Sequence, residues 1–80
     1  MQTWTVYLIR CSDATVYTGF TSDFTRRFEE HCMGEVEYTK TRLPLEPILL
    51  IEFRDKYRAM DFERYLKSGS GKEFSRRHFL

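Results

Sequence analysis

The segment Thr3 to Arg10 constrains this chain more than any other. Trp4, Val6 and Leu8 alternate with Thr5, Tyr7 and Ile9, so as a strand it carries one wholly apolar face and one mostly apolar face. Such a strand is covered on both sides rather than on one. Eighty residues make one domain, so the cover must come from the same short chain.

The remaining segments supply it. Ser12-Asp13 is a turn signal, and Thr15 to Phe20 resumes β-type residues, so the first two strands read as a hairpin with Gly19 near its end. Thr21 or Ser22 is an expected N-cap for a helix to about Cys32, with Asp23 in the first turn. Phe24 and Phe28 give that helix its buried stripe, and Gly34 stops it. Glu35 to Pro47 is polar, contains Pro44 and Pro47, and reads as a long loop. The apolar run Ile48 to Phe53 is expected to be a central strand. Asp55 or Lys56 opens a second helix through Leu66, with Ala59, Phe62 and Leu66 on one face. Ser68-Gly69-Ser70-Gly71 is expected to break it before a final short helix from Lys72 to Phe79. The order β-β-α-β-α-α predicts an α+β domain, a three-stranded antiparallel sheet with helices packed on it. Trp4, Val6, Leu8, Phe28, Ile48, Leu50, Phe62 and Leu66 are its expected core.

Composition narrows the class. A chain with 41% hydrophobic and 16% aromatic residues can build a core, and no apolar run approaches a bilayer span. The N-terminus lacks the pattern of a secretory signal, so a soluble cytoplasmic protein is expected, monomeric by default and without a membrane partner. Cys11 and Cys32 read as two inert buried thiols, and with His31 and His78 they form no zinc-type spacing. The net charge of +1 favours no partner, but Arg64, Lys67, Lys72, Arg76 and Arg77 face only Glu73 among the last residues. A basic end of this kind can track phosphates.

Several polar groups can converge on this scaffold. Tyr7 and Tyr17 lie on paired strands, and Arg27 and His31 share a face of the first helix. Glu63 lies beside the apolar stripe of the second. Singly, each has a plainer reading as packing or surface. Together, two phenols, a guanidinium, an imidazole and a carboxylate suffice for phosphodiester cleavage. The carboxylate holds a hard cation, a water activated by the metal or by a phenolate attacks, and the guanidinium offsets phosphate charge.

The order and spacing of these residues carry a resemblance. Val6-Tyr7-Leu8, followed ten residues after its tyrosine by Tyr17-Thr18-Gly19, resembles the two halves of the GIY-YIG nuclease motif. Arg27 and His31 follow as in that family. Ala59 to Lys67 is similar to its metal-binding helix, with Glu63 in place. The run from Leu66 to Lys72 and on to Phe79 is similar to the end of small stand-alone members. Valine, leucine and threonine replace scaffold positions of the motif, and the chain has no asparagine where larger members carry a late one.

The resemblance implies a single GIY-YIG-like domain over residues 1–80, hydrolysing DNA with one divalent cation, Mg2+ or Mn2+. Tyr7, Tyr17, Arg27, His31 and Glu63 would carry the chemistry, with Glu63 on the metal and Tyr7 as base or water-orienting group. Lys40, Arg42, Lys67 and Lys72 would contact nucleic acid, and RNA is an open alternative to DNA. A non-catalytic nucleic-acid-binding module on the same fold is the rival expectation.

Overall fold

A computed structural model describes residues 2–80. Three strands, β1 (Trp4–Arg10), β2 (Val16–Thr21) and β3 (Glu46–Phe53), form a fully antiparallel sheet in the order β2-β1-β3. The helices α1 (Phe24–Cys32), α2 (Lys56–Lys67) and α3 (Gly69–His78) complete the expected α+β order. None of these helices is long and apolar enough to cross a membrane.

The doubly apolar strand β1 takes the centre of the sheet, with Val6 to Ile9 all buried. On one face Val6 and Leu8 meet Ala59 and Leu66 of α2, and Trp4, Phe20, Ile48, Phe53 and Phe62 pack around that nucleus. The opposite face carries Tyr7, against which Phe24 and His31 of α1 are set.

β3 is an edge strand and not the central one expected from its apolar run. The expected burial of Leu50 is corrected with it. A bulge between Leu8 and Ile9 pairs Leu8 with Leu49 and Ile9 with Pro47, leaving Ile48 without a partner. Such a bulge resets which residues point to which face. Ile48 and Leu49 both pack on the core, and Leu50 turns to the Tyr7 face, where it is 49% exposed.

Two local boundaries also move, the cap of α1 and the start of α3. Asp23, not Thr21 or Ser22, caps α1, its carboxylate accepting from the Arg26 amide, while Thr21 Oγ1 accepts from Asp23 N. Asp55 caps α2 in the same way. Ser68 to Gly71 does not interrupt the helices for long. Ser68 ends α2 and caps α3 at once, accepting from Gly71 N, so α3 begins at Gly69. Gly71 lies inside the helix because a Cβ there would fall 1.8 Å from the Tyr65 carbonyl oxygen. Close approach of α3 to α2, not a break, is its purpose. Of the two free cysteines Cys11 is buried as expected, but Cys32 is exposed at the end of α1.

Candidate active site

Tyr7 and Gly19 are paired across β1 and β2, on the same face of the sheet. With no side chain on Gly19, the Tyr7 ring can lie across the edge strand. A Cβ at Gly19 would stand 2.5 Å from the Tyr7 hydroxyl and 2.6 Å from Cζ. This fixes where the hydroxyl comes to rest, 3.0 Å from His31 Nε2. Phe24 holds the ring edge-on at 5.3 Å between centroids.

His31 is fully buried, not on the exposed helix face its neighbours suggested. It stands at the end of the stripe begun by Phe24 and Phe28, and the loop after α1 folds over it. That loop presents Thr39, also fully buried, with Oγ1 at 2.8 Å from His31 Nδ1. Thr39 Oγ1 lies 3.5 Å from the Val36 carbonyl oxygen, which only accepts. Assigned from that partner, the hydroxyl of Thr39 donates to Val36, His31 Nδ1–H donates to Thr39, and bare Nε2 accepts from Tyr7. A one-directional chain of hydrogen bonds thus runs from the Tyr7 hydroxyl into the protein.

Charge sharpens it. Burial pushes the Tyr7 phenol up to about 12, against the opposing pull of the Arg27 guanidinium. Burial, and then the charge of Arg27, lowers the His31 pKa, so the imidazole is neutral at pH 7 and free to accept a proton. Arg27 Nη1 pairs with Glu30 Oε1 at 2.9 Å, and this pairing, with smaller help from the Tyr7 and Tyr17 hydroxyls, raises its pKa. Its charge is permanent. The Tyr17 ring stands 4.9 Å from His31 and 6.1 Å from Tyr7, closing the cluster on the outer side.

Tyr7, Tyr17, Arg27 and His31 are therefore gathered at one place. Glu63 approaches differently. It belongs to α2, the helix on the other face, and its link to the cluster is the influence of its charge on Tyr7, the last of those acting there. Its carboxylate is 20% exposed and pairs with Lys67 Nζ at 3.2 Å. Among the described residues no three His, Cys, Asp or Glu side chains converge, which does not suit a closed zinc-type centre. One shielded carboxylate that already attracts a cation does suit a hard divalent ion. Such an ion keeps several waters and takes its other ligands from substrate phosphate.

The expected nucleic-acid contacts divide into two pairs. Lys67 and Lys72 line a groove that begins at Tyr17. Lys40 pairs with Glu37, and Arg42 is held by Asp13 at 3.0 Å and lies 4.0 Å over the Tyr38 ring. Thr39 and Tyr38 were not visible in the sequence as site residues. Both sit in an irregular loop with no periodicity to mark them. His31, by contrast, follows Phe24 and Phe28 at helical spacing, a pattern that could have revealed its burial.

Known proteins resemble this chain over most of its length. The model of the GIY-YIG catalytic domain matches residues 3–77. UPF0213 protein YsiG of Lactococcus lactis is 38% identical over 68 residues, covering 84% of this chain and 65% of that protein, so the chain spans about two thirds of that relative's length. A UPF0213 protein of Natronomonas pharaonis is 42% identical over 64 residues, covering 79% of this chain and 75% of its own. The solution NMR structure of a UPF0213 protein from Bacillus halodurans superposes with a TM-score of 0.61 at 33% identity, over 94% of this chain and 83% of that one. On the match of its whole folded length, this chain belongs to the GIY-YIG family, a domain of nuclease type.

Proposed function

We propose that this protein is a metal-dependent endonuclease that hydrolyses DNA phosphodiester bonds, in repair or in processing of structured DNA. The observation that carries the reading is the buried Tyr7–His31–Thr39 chain beside a permanently charged arginine. A phenol with so high a pKa is not a phenolate at neutral pH, so it does not act as a simple base. It acts as a relay. As water attacks phosphorus, its proton passes to the Tyr7 oxygen while the Tyr7 proton passes to His31 Nε2. Thr39 fixes the tautomer that makes Nε2 the acceptor, and its oxygen steadies the imidazolium that forms. The P–O bond to the leaving sugar oxygen breaks, and that oxygen takes a proton from solvent.

Arg27 stabilises the charge gathering on the phosphate oxygens, and Tyr17 contacts the same phosphate from the outer strand. Glu63 holds the divalent ion, Mg2+ or Mn2+. When bound, that ion supplies Lewis-acid polarisation of the phosphate. The rival reading, a binding module without turnover, draws on the Glu63–Lys67 pair, which already occupies the carboxylate.

Tyr7→Phe tests the relay. The ring stays on Gly19 and against Phe24, and only the hydroxyl is lost. The variant is expected to fold and bind DNA like the parent and to lose cleavage by about 100-fold or more, the scale of a positioned proton-transfer group. Cleavage within a few-fold of the parent rules the relay out.

A further inference from the structure

Beside Tyr17 a groove of about 480 Å³ runs between the outer face of β2 and the corner where α2 meets α3. Its volume is within the range of small-ligand sites, about 300–1,000 Å³. Val16 and Leu66 give it an apolar floor. Tyr17 and Tyr38 form one bank, with ring centroids 5.6 Å apart, and Lys67 and Lys72 form the other. Ser75 lies on its wall, 5% exposed, and its Oγ has no hydrogen-bond partner.

Resting on the nuclease reading, we infer that this groove is a subsite for one unpaired nucleobase of the substrate strand, next to the phosphate at Tyr17 and Arg27. The chemistry of the walls selects that occupant. A flat aromatic ring matches the tyrosine bank, because stacking on a base needs only a π face. The phosphate attached to that ring matches the ammonium of Lys72 on the facing bank, where Lys67 is already paired with Glu63. A base edge supplies the partner that Ser75 lacks, since a buried hydroxyl is ordinarily satisfied. An apolar peptide would answer the floor and leave the lysines and the serine unanswered.

The tyrosine bank is also held ready. Tyr38 is 39% exposed, yet Arg42 lies over its ring, donates through Nη1 to the Tyr38 carbonyl oxygen, and is itself pinned by Asp13. A platform fixed before binding costs less to order when a base arrives.

The test is binding in metal-free buffer with a chelator, followed by amide shifts in NMR. The probes are thymidine 5′-monophosphate, deoxyribose 5-phosphate, a short thymidine oligonucleotide, and the same oligonucleotide with one abasic position. Thymidine monophosphate is expected to shift Thr18, Lys72 and Ser75 and to bind about tenfold tighter than the sugar phosphate, the scale of one stacked base. Tyr38→Ala and Lys72→Ala should each weaken it several-fold, and Ser75→Ala should weaken it without affecting the sugar phosphate. The abasic oligonucleotide should bind more weakly than the intact one. Equal binding of the base-bearing and base-free probes overturns the inference, as does a Tyr38→Ala or Lys72→Ala protein, folded by circular dichroism, that binds like the parent. Tight mononucleotide binding with no loss at the abasic site would assign the groove to a free nucleotide and overturn its place on the strand. Cleavage without base dependence removes the subsite and spares the nuclease; base binding without cleavage does the reverse.

Discussion

Gly19→Ala is the substitution whose outcome the structure determines most sharply. Gly19 has no left-handed backbone, since Gly34 is the described glycine with positive φ, so alanine meets no conformational penalty there. On backbone entropy alone the change would stabilise by about 0.4–1 kcal/mol. Sterics reverse the sign. The new methyl would stand 2.5 Å and 2.6 Å from the Tyr7 hydroxyl and Cζ, and 3.0 Å from Tyr17 Cε1. Tyr7 cannot retreat easily, because it is 1% exposed, bound to His31 and edge-on to Phe24. Overpacking of this kind costs about 1–3 kcal/mol. Pulling the phenol off His31 leaves a buried nitrogen unpaired, for about 1–3 kcal/mol more. Some yielding of the edge strand reduces the sum, to about 2–4 kcal/mol net. For a domain of this size that is a drop in Tm on the order of 10–30 °C. Thermal unfolding by circular dichroism gives the number, and the Tyr7 ring resonances report whether the phenol moved. A variant that melts within about 2 °C of the parent with unshifted Tyr7 resonances would refute the account of why glycine is needed there.

Thr39→Val keeps the shape of the loop and removes the acceptor of His31 Nδ1–H. It should cost about 1–3 kcal/mol and lower cleavage more than DNA binding; equal loss of both would make Thr39 merely structural. His31 also sets a pH limit. Its pKa is lowered in the fold from 6.5, so the unfolded chain takes up the proton first. The stability it confers is complete above pH 6.5 and falls as pH drops through the folded value, and His31→Gln should flatten that slope in denaturant titrations. Arg27→Ala should slow cleavage and weaken binding, with the salt dependence of affinity falling by about one unit; an unchanged slope would show that Arg27 does not touch phosphate.

The sequence made legible what local periodicity and pairing determine. The two apolar faces of Trp4–Arg10 correctly foretold helical cover on both sides, and the hairpin followed from Ser12-Asp13. What escaped was set by contacts distant in sequence. The rank of Ile48–Phe53 in the sheet was misread because its apolar run reads as a central strand, whereas β3 pairs with β1 alone and its bulge, invisible in composition, sets both Ile48 and Leu49 on the core. Gly69 and Gly71 looked like breakers because glycine weakens a helix interior, yet at Gly71 tight packing on Tyr65 makes a helical glycine the residue that fits, while Gly69 has open space around it. Tyr7, Tyr17, Arg27 and His31 could be placed together from strand pairing and helical phase. Thr39 could not, since it reaches His31 through a loop whose turns, such as Thr39 N to Val36 O, carry no periodic mark.

The most direct measurement is cleavage by the purified protein on DNA substrates offering a single strand, a nick, a flap and a branch. It should be run with Mg2+, with Mn2+ and with chelator, for the parent and for Glu63→Ala. The account predicts metal-dependent cleavage of at least one substrate by the parent. Glu63→Ala should show none, while its DNA affinity in metal-free buffer is unchanged or slightly higher, because a negative charge that acts on Tyr7 has been removed. Cleavage by Glu63→Ala at the parent's rate would contradict it, placing the activity on other residues or on a contaminant.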